Sequence, residues 1–97
     1  MKGNNAMNVP SASATQFRMV ILSPSETLLE DEIVFAVIPG AEGELGILVN
    51  HAPFVTTLKA GNVRIYKNDQ KTITHEIEIS GGFMEVKDNT CQLLITE

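Results

Sequence analysis

Short apolar runs separated by turn-forming residues are the feature of this sequence that most restricts its fold. The runs are rich in Val, Ile and Thr, and Gly, Pro, Asn, Asp or Ser bounds most of them. Residues 72–79 are the clearest case, because Ile73, His75, Ile77 and Ile79 alternate with polar residues. This period of two is typical of a strand with one buried face, and no segment has a persuasive helical period. The sequence therefore predicts an all-β chain.

The predicted strands are short and closely spaced, which favours a flattened β-sandwich or barrel of about nine to ten strands. Three connections have their own signals. The acidic run of Glu30, Asp31 and Glu32 reads as a solvated turn, and residues 68–71 read as a hairpin tip. Gly81 and Gly82 predict a bend where backbones pass closely. The runs lie at residues 16–22, 27–29, 33–38, 45–49, 54–58, 62–67, 72–79, 83–86 and 90–95.

Length and composition limit the number of domains to one. The chain has 97 residues, enough for a single core. Residues 1–14 are small and polar, with little to bury, so they predict a disordered lead. Residues 15–97 then form the one folded domain.

Charge and hydropathy exclude several classes of partner. The formal net charge is −5, and scattered basic residues do not make the cationic surface that nucleic acid requires. The longest apolar run, 33–38, is far shorter than the roughly 20 residues that span a bilayer, so we expect no direct membrane insertion.

Cys91 is the single cysteine and cannot form an internal disulfide, which favours an intracellular protein.

The segment 39–53 is the best candidate for a functional surface. It contains three glycines, two prolines, two glutamates and one histidine. Its glycine spacing lacks the Lys-Ser/Thr of a phosphate loop, and the segment offers no nucleophile with a base partner and no cluster of metal ligands, so we expect no cofactor or metal site in it. One catalytic alternative stays open, in which Glu44 orients His51 as a general base. A surface for another protein is the favoured interpretation.

Three residues elsewhere in the chain have reactive side chains, but a structural role explains each of them better than a role as a metal ligand or nucleophile. His75 shares a strand face with isoleucines, so we expect a partly buried residue near a sheet edge. Cys91 alternates with Leu93 and Ile95 and should point into the core as an inert thiol. Ser80 precedes two glycines but has no nucleophile-elbow pattern around it.

Ordered motifs along the chain resemble the N-terminal domain of the epsilon subunit of rotary ATP synthases, which is called delta in mitochondria. Each motif is weak alone, but the ordered set is specific and covers most of the chain. The motifs are Leu22-Ser23-Pro24, Pro39-Gly40-Ala41-Glu42-Gly43-Glu44-Leu45-Gly46-Ile47-Leu48, His51-Ala52-Pro53, Leu58-Lys59-Ala60-Gly61 and Ile79-Ser80-Gly81-Gly82-Phe83-Met84-Glu85-Val86.

The resemblance implies a non-catalytic β-sandwich at the foot of the central stalk. It would bind the gamma subunit and the ring of membrane c subunits, below the catalytic alpha/beta head, and couple proton flow to ATP synthesis or hydrolysis. Glu44, Leu45 and Gly46 match the family loop that faces the ring, and His51 matches a histidine of the neighbouring loop at the same end. The implied location is peripheral, on the cytoplasmic face of a bacterial plasma membrane or the matrix face in an organelle.

Two departures from the family pattern affect these expectations. Members usually continue into a C-terminal helical hairpin, whereas this sequence ends at Glu97, so the ATP-binding and inhibitory roles of that hairpin are not assigned here. Phe35 and Val37 also make the 33–38 run apolar on both faces. We expect its outer face to contact gamma, although a covering by the lead or by loops explains it nearly as well. A stand-alone β-sandwich interaction module is the alternative function.

Overall fold

The structure, a computed structural model, describes residues 15–96, and these form strands and connecting turns without a helix. The strands are short, as expected from the spacing of the turn residues. They are β1 (Phe17–Leu22), β2 (Thr27–Ile33), β3 (Phe35–Gly40), β4 (Gly43–Leu48), β5 (Phe54–Leu58), β6 (Gly61–Tyr66), β7 (His75–Ile79), β8 (Gly82–Lys87) and β9 (Thr90–Ile95). The predicted disordered lead, residues 1–14, lies outside the described residues.

The nine strands form one sheet that curls on itself around a single core. Their order is β2-β1-β9-β8-β5-β3-β6-β7, and β4 pairs with β3. A five-strand half (β2, β1, β9, β8, β5) and a four-strand half (β4, β3, β6, β7) meet where Gly40 pairs with Leu58. All ladders are antiparallel except that between β1 and β9. The prediction of an all-β sandwich or flattened barrel is confirmed.

The core consists of apolar side chains that alternate along strands of both halves. Every second residue of a strand points to the same face, so the inward positions of each strand contribute one row. Cys91 lies in this core, as predicted. The cluster comprises Phe17, Met19, Ile21, Ile33, Ala36, Ile38, Ile47, Leu58, Val63, Ile65, Ile79, Met84, Val86, Cys91, Leu93 and Ile95.

Gly82 confirms the predicted close passage of two backbones. Its φ is +148°, in the region that side-chain-bearing residues rarely adopt. A Cβ atom there would lie 2.3 Å from the carbonyl oxygen of Leu94 on the adjacent strand β9. Glycine is thus required for β8 to pair with β9 at this point.

The acidic run lies within β2, so the prediction of a solvated turn is wrong. Arg18 on the adjacent β1 forms ion pairs with both Glu30 and Glu32. The Nζ atom of Lys67 lies 2.9 Å from Oδ1 of Asp31. Because each carboxylate has a cation nearby, three acids in succession are compatible with an edge strand. Charges there also discourage pairing with another chain.

Two predicted strand boundaries are also wrong. The sequence predicts one strand over 33–38, but the chain bends at Val34, whose N–H donates to the carbonyl of Tyr66 at 3.0 Å. The sequence predicts strand from residue 72, but β7 begins at His75 because Asp69 Oδ1 accepts the backbone N–H groups of residues 71 and 72 and turns the chain. His75 is at a sheet edge, as expected, but it is exposed rather than partly buried.

Candidate functional site

The surface predicted to face a partner is built on the β3–β4 hairpin. Only Ala41 and Glu42 form its turn, and Glu44, Leu45 and Gly46 already belong to β4. Gly43 begins the strand with a φ of +135°, a conformation that glycine adopts without strain. The segment therefore forms a tight hairpin. Of the predicted contact residues, Glu44, Leu45 and Gly46 lie on strand β4, and His51 lies in the connection that follows it.

Alternation along β4 separates the three predicted contact residues. Glu44 and Gly46 are exposed on the outer face, whereas Leu45 is partly buried and packs against the core. The ring of Phe35 lies over Gly46, where an added Cβ atom would be 3.2 Å from the ring. Direct contact through this strand would thus use the Glu44 carboxylate and the Gly46 backbone more than the Leu45 side chain.

Glu44 is paired within the chain. Its Oε2 accepts a hydrogen bond from Nη2 of Arg64 on β6 at 2.7 Å. The Glu44 side chain remains 59% exposed, and the Arg64 side chain is 32% exposed. The carboxylate therefore reaches the surface with a cation already beside it. Arg64 was not among the predicted site residues because it is distant in the chain.

A cavity of about 450 Å³ lies between the hairpin and β5. Glu44, Leu45 and Phe54 are among the residues that line it. The His51 ring lies 6.1 Å from the Phe54 ring in an edge-on arrangement, so His51 adjoins the cavity through Phe54. Nδ1 of His51 lies 2.8 Å from the carbonyl oxygen of Ala52. Since Glu44 bonds Arg64 and His51 bonds its own loop, the general-base pairing of Glu44 with His51 is not formed.

Phe35 and Val37 lie on the outer face of β3, as the sequence suggests. Both are only partly buried. Phe35 packs on Tyr66 with ring centroids 5.1 Å apart, and its register partner on β4 is the exposed Leu48. The outer face of the four-strand half thus carries an apolar patch beside the Glu44–Arg64 pair.

A second apolar surface, on the outer face of the five-strand half, was not predicted. Leu22, Leu94 and Phe83 form one row across β1, β9 and β8. Phe83 is 43% exposed and Leu94 is 45% exposed, and Val55 on β5 shares their face with 55% exposure. The signal in the sequence is that Phe83 and Leu94 occupy outward positions of β8 and β9, and it can be recognised only once the inward face of these strands is known.

The cysteine of the described residues is buried. Burial raises the pKa of the Cys91 thiol to about 12, so it stays protonated at neutral pH. Residues 15–96 contain no cluster of three or more His, Cys, Asp or Glu side chains suited to a metal ion. Over the same range there is no helix of sufficient length and hydrophobicity to cross a membrane.

Residues 16–97 match the sequence family described as the beta-sandwich domain of the ATP synthase delta/epsilon chain. The chain belongs to this family. The ATP synthase epsilon chain of Pelotomaculum thermopropionicum is 43% identical over 77 residues, which are 79% of this chain and 55% of the relative. That of Desulforamulus reducens is 44% identical over 77 residues, 79% of this chain and 56% of the relative. The chain thus matches little more than half the length of these relatives.

Two solved structures share the fold. A chain of the Euglena gracilis mitochondrial ATP synthase, in a structure of OSCP, F1 and the c-ring, aligns with a TM-score of 0.78 and 24% identity. The alignment covers 100% of this chain and 56% of that chain. A chain of the Tetrahymena thermophila mitochondrial ATP synthase central stalk and c-ring aligns with a TM-score of 0.70 and 19% identity, covering 82% of this chain and 63% of that one.

Proposed function

We propose that this chain is a non-catalytic rotor subunit of a proton-translocating ATP synthase, binding gamma and the c-ring at the foot of the central stalk. The match of residues 16–97 to the delta/epsilon sandwich family carries the proposal. The fold supports it, because similar chains occur in structures of the central stalk with the c-ring. Coupling proton flow to ATP chemistry in the alpha/beta head would then pass through this domain without a reaction occurring in it.

The mechanism that suits this domain is mechanical. A part that transmits torque must resist deformation, and close-packed protein interiors have low compressibility. Both halves of the curled sheet contribute to one core, so the two outer faces are held rigidly with respect to each other. A partner on one face and a partner at the hairpin would then turn as one body.

The proposed gamma contact is the outer face of β3 with Phe35 and Val37. The Phe35–Tyr66 pair and Leu48 extend this face, and apolar burial there would supply the attraction. Replacement Phe35→Glu should abolish co-purification with gamma, because it places an unpaired charge in the interface. Circular dichroism should show that the variant still folds.

Leu94→Glu provides the matched control, since Leu94 is similarly apolar but lies on the other half of the sheet. It should leave the gamma complex intact. Loss of the complex only in Leu94→Glu would move the gamma contact to the other face and leave the proposed function standing. An intact complex in both variants would reject an apolar gamma contact at either face.

The proposed c-ring contact consists of Glu44, Leu45, Gly46 and His51, around the hairpin and the adjoining cavity. It would place the domain peripherally, at the cytoplasmic face of a bacterial plasma membrane or the matrix face in an organelle. The test is retrieval of gamma and c subunits by the tagged chain from detergent-solubilised membranes of its own organism. Retrieval of neither subunit would favour the stand-alone interaction module.

A further inference from the structure

Arg64 reaches Glu44 across a whole strand. Val37 on β3 pairs with Gly46 on β4 at one side and with Arg64 on β6 at the other. Glu44 lies on the same outer face, opposite Pro39. The Arg64 side chain therefore extends over β3 to make its 2.7 Å hydrogen bond.

The pairing is selective. Glu76 on β7 is the register partner of Arg64 and presents a second carboxylate beside it. Within the described residues, however, the ion pair that Arg64 forms is with Glu44. An arginine that bonds the acid two strands away, rather than its immediate neighbour, is directed towards the hairpin.

The Arg64 side chain is more buried than the Glu44 side chain, with exposed fractions of 32% and 59%. The Nε atom of Arg64 is buried and has no hydrogen-bond partner among the described residues. The guanidinium is planar and retains less freedom than an ammonium group on a long chain. The more exposed carboxylate above it can still accept further hydrogen bonds, since a carboxylate offers about four lone-pair sites.

We propose that Arg64 is a positioning residue for the partner contact at Glu44, and that the partner recognises the Glu44–Arg64 pair rather than a lone carboxylate. This rests on the proposed function, in which the partner is a polar loop of the c-ring. Arg64 fixes the Glu44 side chain before binding, which reduces the ordering cost at the interface. The recognising group is a hydrogen-bond donor that approaches the lone pairs left open by Arg64.

The test measures binding of the full chain to the c-ring of its own ATP synthase, purified in detergent, at fixed ionic strength. Arg64→Met should weaken binding roughly two- to fivefold, the scale of an exposed ion pair. Glu44→Ala should weaken it at least as much. In the Glu44→Ala background, Arg64→Met should have no further effect, because a positioning residue acts only through the group it positions.

Matched variants separate this role from general charge and stability effects. Glu76→Ala removes a carboxylate beside Arg64, and Lys71→Met removes a cation from the β6–β7 connection; both should bind as the unaltered chain does. Thermal unfolding should show that each variant is folded at the assay temperature.

The outcomes distinguish this inference from the proposed function. Equal weakening by Arg64→Met with and without Glu44 would show a structural role and overturn the inference, as would no effect of Arg64→Met. Tighter binding of Arg64→Met would show that Arg64 competes with the partner for Glu44, which also overturns it. If the unaltered chain does not bind the ring, the proposed ring contact itself fails. An unchanged affinity in Glu44→Ala would remove Glu44 from that contact.

Discussion

Gly82 offers a direct test of how the sandwich closes, because β8 and β9 pass there without room for a side chain. An added Cβ atom would lie 2.3 Å from the Leu94 carbonyl oxygen and 2.8 Å from the Ile95 Cα atom. Both are backbone atoms of the paired strand, so neither can turn aside as a flexible side chain does. The replacement Gly82→Ala must therefore displace the ladder itself, in which Gly82 pairs with Ile95.

The expected cost of Gly82→Ala has two parts. Holding a non-glycine residue at a φ of +148° costs about 1–3 kcal/mol, and the steric overlap adds about 1–3 kcal/mol. The sum, about 2–6 kcal/mol, is a large fraction of the roughly 5–15 kcal/mol typical of a whole domain. Gly43→Ala is the matched control, because its φ is +135° but no atom outside Gly43 and its two chain neighbours lies within 4 Å of the added Cβ atom. The stability loss of Gly43→Ala should therefore contain only the cost of the backbone conformation, without the steric overlap.

Urea unfolding of the unaltered chain and both variants measures these costs as changes in the free energy of unfolding. Gly82→Ala should lose about 1–3 kcal/mol more than Gly43→Ala, since only Gly82 has the overlap. Two variants of equal stability would contradict the reasoning, because the close approach of β9 would then have no energetic consequence.

Three further outcomes follow from the core and the charges. The Leu93→Ala replacement should lower the free energy of unfolding in urea by about 2–5 kcal/mol, because Leu93 is fully buried. The Leu94→Ala replacement should lower it much less, because the neighbouring Leu94 is exposed. Similar losses in the two variants would contradict the assigned faces of β9. Cys91 should react with a thiol reagent at pH 8 only after unfolding, because its pKa is about 12; labelling of the native chain as fast as that of the unfolded chain would refute its burial. The Lys67 ammonium, aided by the Glu32 backbone N–H, lowers the pKa of Asp31 below its usual 3.8. The stability that Asp31 contributes should be fully present above about pH 4, the pKa in the unfolded chain, and should be lost as the pH falls through the lower pKa of the native chain. The unaltered chain and the Asp31→Asn variant should therefore have similar free energies of unfolding at low pH. A difference between them that persists at low pH would contradict this linkage.

The sequence predicts the number and approximate position of the strands because its signals are local. Alternation in 90–95 places Cys91, Leu93 and Ile95 on one face whatever the rest of the chain does. The failures occur where a distant group intervenes. Glu30, Asp31 and Glu32 look like a turn until Arg18 and Lys67 are brought beside them, and only the fold brings them there.

The candidate site likewise has features that the sequence predicts and one that only the fold shows. The hairpin with Glu44 and the loop with His51 are readable as motifs, and family membership follows from their order. The partner of Glu44 is not readable, because Arg64 is 20 positions further along the chain and pairs with it only through the register of β4, β3 and β6.

The sequence by itself determined the all-β class, the turns at glycine and proline, and the family, since each depends on residues close together in the chain. Tertiary structure decided which face of each strand is buried and which strands it packs against. It also decided that Arg64 forms an ion pair with Glu44, and that Phe83, Leu94 and Val55 share an exposed surface. The physical reason is that a period of two fixes which residues share a face of a strand, whereas strand order and register, set by packing of the whole core, fix which strands are neighbours.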